Sequence, residues 1–276
     1  MTTHSSPRFS VKVGMYHGSG ANHQAMFYYL GKWGFDVQLV GKDQLTNLPA
    51  AGIDVLFLSG GWYRFDETIY AALRAFVDEG GGVVSSCAGA YLVAGDSGII
   101  PGRVHNNNIR GRVYMEPQQG EHPILKHVVR PCTRHNKRKF ESIAMTHHGG
   151  PMIFPQDRSH IILSFDIEGE VGSLVAADRG KGRAVAIAPH PEYPLAALPE
   201  ADVKRLNDRP YDQQGQEWQI IRNAVLWAAR REQEIPSEPA TTPAEFYRPT
   251  PPAGRYPHEQ ARRTSGLVQV QARHLG

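Results

Sequence analysis

Cysteine is scarce in this chain: Cys87 and Cys132 are the only two in 276 residues. Two thiols build neither a disulfide framework nor a Cys-rich zinc site, and a reducing, cytoplasmic compartment is the simplest expectation. Long apolar runs are missing too. No stretch approaches the roughly 20 residues that span a bilayer, and the N-terminal MTTHSSPRFS lacks the apolar segment of a secretory signal. Neither export nor a membrane partner is expected. An excess of one charge is also absent, since 30 Lys+Arg stand against 27 Asp+Glu for a net +3 with His neutral. Spread over so long a chain, that balance falls short of the concentrated basic footprint of nucleic-acid binding, so nucleic acid is not a leading partner. What is present, 41% hydrophobic residues and 28 glycines, is the composition of an ordinary globular protein.

Short apolar runs punctuated by glycine organise the first hundred residues. VKVGMY at 11–16 reads as a strand, followed by the turn HGSGAN and a helix that Gly34 ends. DVQLV at 36–40 and DVLFLS at 54–59 are the next two strands, the latter opening onto Gly60 and Gly61. DETIYAALRAFVDEG, from Asp66, places Ile69, Leu73, Phe76 and Val77 on one helical face, with acids in the first turn and glycines at 80–82 after it. VVSS at 83–86 is a buried-type strand running straight into CAGAYLVAG. Strands alternating with helices predict a parallel sheet covered on both faces.

Residues 99–160, rich in Gly, Pro, Asn, His and Arg, read as short strands and functional loops. HIILSF, VGSLVAA and RAVAIA, between 160 and 188, continue the sheet, the last two joined at DRGKG as a hairpin. EWQIIRNAVLWAARREQE at 217–234 carries Trp218, Ile221, Val225 and Ala228 on one face and predicts a closing helix. A globular domain over 10–235 is expected, followed at 236–276 by a proline-rich extended or disordered tail.

Chemistry concentrates at Cys87. It ends a strand, precedes a helix and sits among Ser85, Ser86, Ala88, Gly89 and Ala90. Small neighbours let the chain bend tightly and present the side chain at the carboxyl end of the sheet, where a helix N-terminus favours thiolate. A buried structural cysteine is the alternative reading. In APHPEYP at 188–194, His190 and Glu192 follow another strand, so a base and its orienting acid reach the same sheet edge. Taken alone, HPE reads equally as a surface turn. Gly60 and Gly61 permit close backbone approach, and with the Ala88 N–H they supply a candidate oxyanion hole.

SGG, SSCAGAY and PHPE, in this order and at these separations, resemble the class I glutamine amidotransferase superfamily. The CAGAY elbow and the YHGSGA turn are most similar to free-standing relatives of the N-terminal domain of biotin-protein ligase. The resemblance spans roughly residues 10 to 230. It implies a flavodoxin-like α/β sandwich, mostly parallel, with helices on both faces. It also implies that Cys87 attacks a carboxamide carbon to form a thioester, that Gly61 and Ala88 hold the oxyanion, and that His190 with Glu192 moves the proton to the departing ammonia. No metal or organic cofactor is implied. Two positions depart from the pattern: Tyr91 stands where glutamine amidotransferases have Gln in the substrate pocket, and Ser85 where many relatives have Gly. Glutamine or another small carboxamide is the expected substrate, with a separate synthase as partner if ammonia is transferred. A metabolite-binding module without catalysis, or a peptidase or isopeptidase, are the alternatives.

Secondary candidates surround this constellation. Trp62 and Tyr63 follow the glycine pair and either wall a substrate pocket or cover the sheet edge. THHGGP at 146–151 reads as a loop at the site mouth, with His148 offering a donor to substrate, or as a plain surface turn. His17, His23, His105, His122, His135, His147 and His148 match no helical zinc spacing, so no metal site is expected. Arg130, Arg134, Lys137, Arg138 and Lys139 form a basic cluster that reads most simply as a solvated loop, with Cys132 inside it as a bystander thiol.

Overall fold

The computed structural model describes residues 9–18, 23–61, 63–134, 137–166, 168–192 and 218–237. The tail from 238 onward, residues 19–22 of the HGSGAN turn, His135 and Trp62 therefore lie outside the described residues. In chain order the first half contains β1 (Lys12–Tyr16), α1 (His23–Lys32), β2 (Asp36–Val40), β3 (Val55–Leu58), α2 (Glu67–Asp78), β4 (Gly82–Ser86) and α3 (Ala88–Tyr91). There follow β5 (Gly102–His105), β6 (Arg110–Pro117), β7 (Pro131–Arg134), β8 (Lys137–Phe140), β9 (Ile143–His148), β10 (Met152–Pro155), β11 (Ile161–Ser164), β12 (Gly172–Arg179) and β13 (Gly182–Ile187). A last helix, α4, covers Trp218–Ala228. Among the described residues, no helix is long and apolar enough to cross a membrane.

The sheet runs β2-β1-β3-β4-β13-β12-β11-β6-β9, with β10 and β5 attached beside β12. From β2 through β13 every pairing is parallel. With β13 as fifth strand this is the 2-1-3-4-5 order of flavodoxin-like sheets. Alternation along the strands sends side chains to two cores. Val55 and Phe57 of β3 face a cluster with Met26 and Leu30 of α1 and the apolar residues of α4, while Leu56 and Leu58 face Leu73, Phe76 and Val77 of α2. The fold is thus the expected α/β sandwich with helices on both faces. Beyond β13 the sheet continues antiparallel through β12, β11, β6 and β9.

Local signals account for the element ends. Asp66 Oδ1 accepts the Ile69 N–H at 3.1 Å and caps α2. Gly89 meets β3 so closely that an added Cβ would lie 2.2 Å from the Leu58 carbonyl oxygen. Only glycine permits that approach of α3 to the sheet.

Three expectations need correction. Helical spacing assigned α4 one buried face, yet all eleven residues are buried, including Gln219, Arg222 and Asn223. Its second face is covered by Ile124, Leu125 and Val128, and Asn223 Nδ2 donates to the Ile124 and Lys126 carbonyls at 3.2 and 3.0 Å. Within the basic stretch, Pro131–Arg134 (β7) and Lys137–Phe140 (β8) pair antiparallel as a two-stranded sheet separate from the main one. THHGGP is no surface turn, because Thr146–His148 complete β9 against Arg110–Arg112 of β6 and His147 is fully buried.

Candidate active site

Register of the parallel strands brings the site together. Ser86 of β4 pairs with Ile187 of β13, and the Cys87 N–H extends that ladder to the Ile187 carbonyl at 2.8 Å. Both strands end at the same edge, so residues shortly beyond them meet. Cys87 leaves β4 with φ 48° and ψ −114°, a positive-φ conformation costly for a residue with a Cβ. Its carbonyl accepts the Ala90 N–H at 3.0 Å as α3 begins. This is the sharp strand-to-helix bend that lifts a nucleophile above a sheet edge. Ser85 does not obstruct it: its hydroxyl donates to the Val185 carbonyl at 3.1 Å inside the sheet.

His190 follows β13 and is bridged to β9, its N–H donating to the Thr146 carbonyl at 2.7 Å. Its Nδ1 donates to Glu192 Oε1 at 2.8 Å, which turns the other ring nitrogen toward Cys87. The ring and the thiol are within hydrogen-bond reach. Cys87, His190 and Glu192 are 8%, 5% and 4% exposed, so all three members of the trio are buried. Burial opposes charge on the imidazole, yet the Glu192 carboxylate and the Cys87 sulfur overcome it and raise the His190 pKa to about 10.

The glycine turn lies against this pair. A Cβ on Gly60 would sit 3.1 Å from His190 Cε1 and 3.3 Å from Cys87 Cβ. Any side chain there would press on both Cys87 and His190. Gly61 has φ 132°, a conformation that favours glycine. Tyr63 Oη donates to the Ser59 carbonyl at 2.8 Å and so braces the same turn. Burial, then the neighbouring Tyr16, Cys87 and Tyr70, push its phenol well above the ordinary range.

On the opposite flank stands the end of β9. His148 arrives through its backbone, the thiol donating to its carbonyl at 3.7 Å, whereas its side chain is exposed at the rim. Tyr91, one helical turn after Cys87, is a strut: its Oη reaches Asn106 Oδ1 at 2.7 Å and the Gly149 carbonyl at 3.2 Å. Both bonds of the Tyr91 hydroxyl are made within the protein. Ala88 is partly exposed at the first position of α3, beside the sulfur.

Two participants escaped the sequence reading. His147 Nε2 donates to Asn107 Oδ1 at 3.1 Å, and its ring meets Phe165 edge-on. Burial, then the charge of His190, hold its pKa down at about 4, so it is a neutral imidazole. Asn107 also accepts the Ile109 N–H at 3.0 Å and donates through Nδ2 to the Gly150 carbonyl at 2.7 Å. Neither carries a signal in sequence, because an Asn-rich loop and a His-His pair acquire these roles only when β5, β6 and β9 fold together. Among the described residues, no group of three or more His, Cys, Asp or Glu is placed to hold a metal ion. Two surface clefts of about 460 and 570 Å³, beside His127 and Arg103, lie apart from Cys87.

No family model matches the chain, and no curated protein matches it. Solved structures do. A candidate GMP synthase component from Thermoplasma acidophilum superposes with a TM-score of 0.51 at 16% identity, over 83% of this chain and 98% of that one. The N-terminal domain of mmIFT52 gives 0.51 at 9% identity, over 79% and 96%. A glutamine amidotransferase from Thermotoga maritima gives 0.48 at 12%, over 82% and 100%. At such identities the likeness is one of fold.

Proposed function

We propose that this protein is a cysteine-dependent amide hydrolase of the glutamine amidotransferase type, acting on a small carboxamide through a thioester. The observation that carries the proposal is the strained elbow at Cys87, set against a buried His190 that Glu192 orients. Backbone strain at a non-glycine residue persists where the surrounding structure imposes it, and such residues cluster at reactive sites. The motifs CAGAY and YHGSGA further liken the chain to free-standing relatives of the N-terminal domain of biotin-protein ligase, and a cytoplasmic location suits its reduced thiols.

In the reading we favour, the proton shared between Cys87 and His190 sits on the raised imidazole, and the sulfur attacks the carboxamide carbon. An S–C bond forms while the carbonyl π pair moves to oxygen, where the N–H groups of Gly61 and Ala88 receive the charge. Collapse breaks the C–N bond, the nitrogen takes the proton from His190, and ammonia leaves. Water activated by His190 then attacks the thioester, and the S–C bond breaks to release acid and thiol. Glu192 holds the imidazole and balances its charge throughout. Gly60 and Tyr63 shape the wall on one side, with His148 and Tyr91 on the other.

The test is alkylation by iodoacetamide across pH, with peptide mass spectrometry and Cys132 as internal control. Cys87 should label faster than Cys132 at neutral pH, and Cys87→Ala should lose turnover of any accepted amide while keeping the fold. Protection by glutamine identifies that substrate; rapid labelling without protection points to other amides. Cys87 labelling no faster than Cys132 would overturn the proposal in favour of a binding module.

A further inference from the structure

We propose that the His148 carbonyl, locked in place by Asn107 and Tyr91, restricts the site to substrates whose leaving group carries an N–H, so that amides are accepted and matched esters disfavoured. This rests on the reading of Cys87 as a nucleophile and adds a rule for what it accepts.

The carbonyl oxygen lies 3.7 Å from Cys87 Sγ. A leaving atom bonded to the carbon that sulfur attacks lies within about 3 Å of the sulfur, so a leaving group that departs toward the end of β9 comes within hydrogen-bond reach of this oxygen. A carbonyl oxygen only accepts. With the proton on sulfur the thiol donates to it; with that proton on His190 the oxygen is open to the N–H of a departing amide. An ester oxygen has no hydrogen to offer and brings its lone pairs against those of the carbonyl. The discrimination is strongest where water is excluded, as at this buried trio.

Such a rule requires a carbonyl that cannot turn away, and the residues on both sides of it are anchored. Thr146, two residues before it, is bonded through its carbonyl to the His190 N–H. Gly149 and Gly150, the next two residues, have their carbonyls taken by Tyr91 Oη and Asn107 Nδ2. A Cβ on Gly150 would lie 2.0 Å from the Ala188 carbonyl oxygen, so the strand end is pressed against the segment leading to His190. The Asn107 amide is itself oriented: its oxygen accepts from both His147 Nε2 and the Ile109 N–H, which leaves its NH2 for Gly150. A neutral His147 suits this arrangement, because its proton sits on the nitrogen facing Asn107. Asn107 touches neither reacting group and is a positioning residue.

The experiment uses acetyl p-nitroanilide and acetyl p-nitrophenyl ester, a pair differing at the leaving atom by NH against O. Acylation of Cys87 in the full chain is followed by chromophore release and intact-protein mass spectrometry, each rate being divided by that of a small thiol with the same probe. In the wild type the normalised preference should favour the anilide at least tenfold. Asn107→Ala should reduce anilide acylation about tenfold while ester acylation changes by less than threefold, and Tyr91→Phe should move the ratio the same way. Equal losses on both probes, or an unchanged ratio in both variants, would overturn the proposal while leaving the nucleophile intact. Absence of acylation by either probe, together with slow iodoacetamide labelling, would remove the underlying reading and the rule with it.

Discussion

Acidification addresses the buried imidazole of His147 directly. Its folded pKa is near 4 and its ordinary value near 6.5, with burial the main cause and the charge of His190 the next. The unfolded chain therefore binds the proton more tightly than the folded one. Stability is intact above pH 6.5 and is lost as the pH falls toward 4. By pH 4.5 the accumulated loss is roughly 2.5 kcal/mol. Wild-type acid sensitivity alone does not isolate this residue, because burial and Arg183 also depress His122 to about 4. The perturbation is His147→Gln, which retains an N–H donor for Asn107 but does not titrate. At pH 7 the variant should be less stable by about 1 to 2 kcal/mol, having lost the ring packed on Phe165. Urea unfolding followed by tryptophan fluorescence at pH 7 and 4.5 should show that gap closing by about 2 kcal/mol. A gap that stays constant within about 0.5 kcal/mol would refute the assignment of a buried, neutral His147.

His190 works with the opposite sign. Raised to about 10, its contribution is complete below pH 6.5 and is lost as the pH climbs through 10, so Glu192→Gln should flatten the alkaline decline in melting temperature. An unchanged alkaline slope would count against the pairing. At the elbow, Cys87→Gly should be more stable than Cys87→Ala by about 1 kcal/mol, since only glycine relieves the strain. An alanine variant melting as high as the glycine variant would contradict the backbone geometry. Gly89→Ala drives a Cβ into the Leu58 carbonyl, a main-chain atom that cannot swing aside, and should cost about 3 kcal/mol or more. Wild-type melting of that variant would show the helix and strand to be less tightly apposed.

The parallel half of the sheet was readable because each of its strands is a short apolar run closed by glycine, and because two-sided burial removes polar alternation from Val55–Leu58 and Gly82–Ser86. Cys87 and His190 stood out for the same reason, each lying just past such a run. The antiparallel extension was harder to read. Its strands mix Arg, His and Thr with apolar residues, as in Arg110–Pro117 and Ile143–His148, and only pairing decides which face is buried. The all-round burial of α4 was equally hidden, since Arg222 and Asn223 read as a solvated stripe until Ile124 and Leu125 cover them. His147 and Asn107 depend on that same long-range packing.

The ladder that joins β4 to β13 also orders events in time. Cys87 emerges from the ribosome about 100 residues ahead of His190, an interval of roughly 5 to 20 seconds at ordinary rates of synthesis. During it, β4 lacks the neighbour on which Cys87 is hung, because the Ile187 carbonyl that receives the Cys87 N–H has not yet been made. The nascent chain thus carries a cysteine with neither its bend enforced nor His190 beside it. The trio is assembled late and all at once, when β13 slots between β4 and β12 and brings His190 and Glu192 with it.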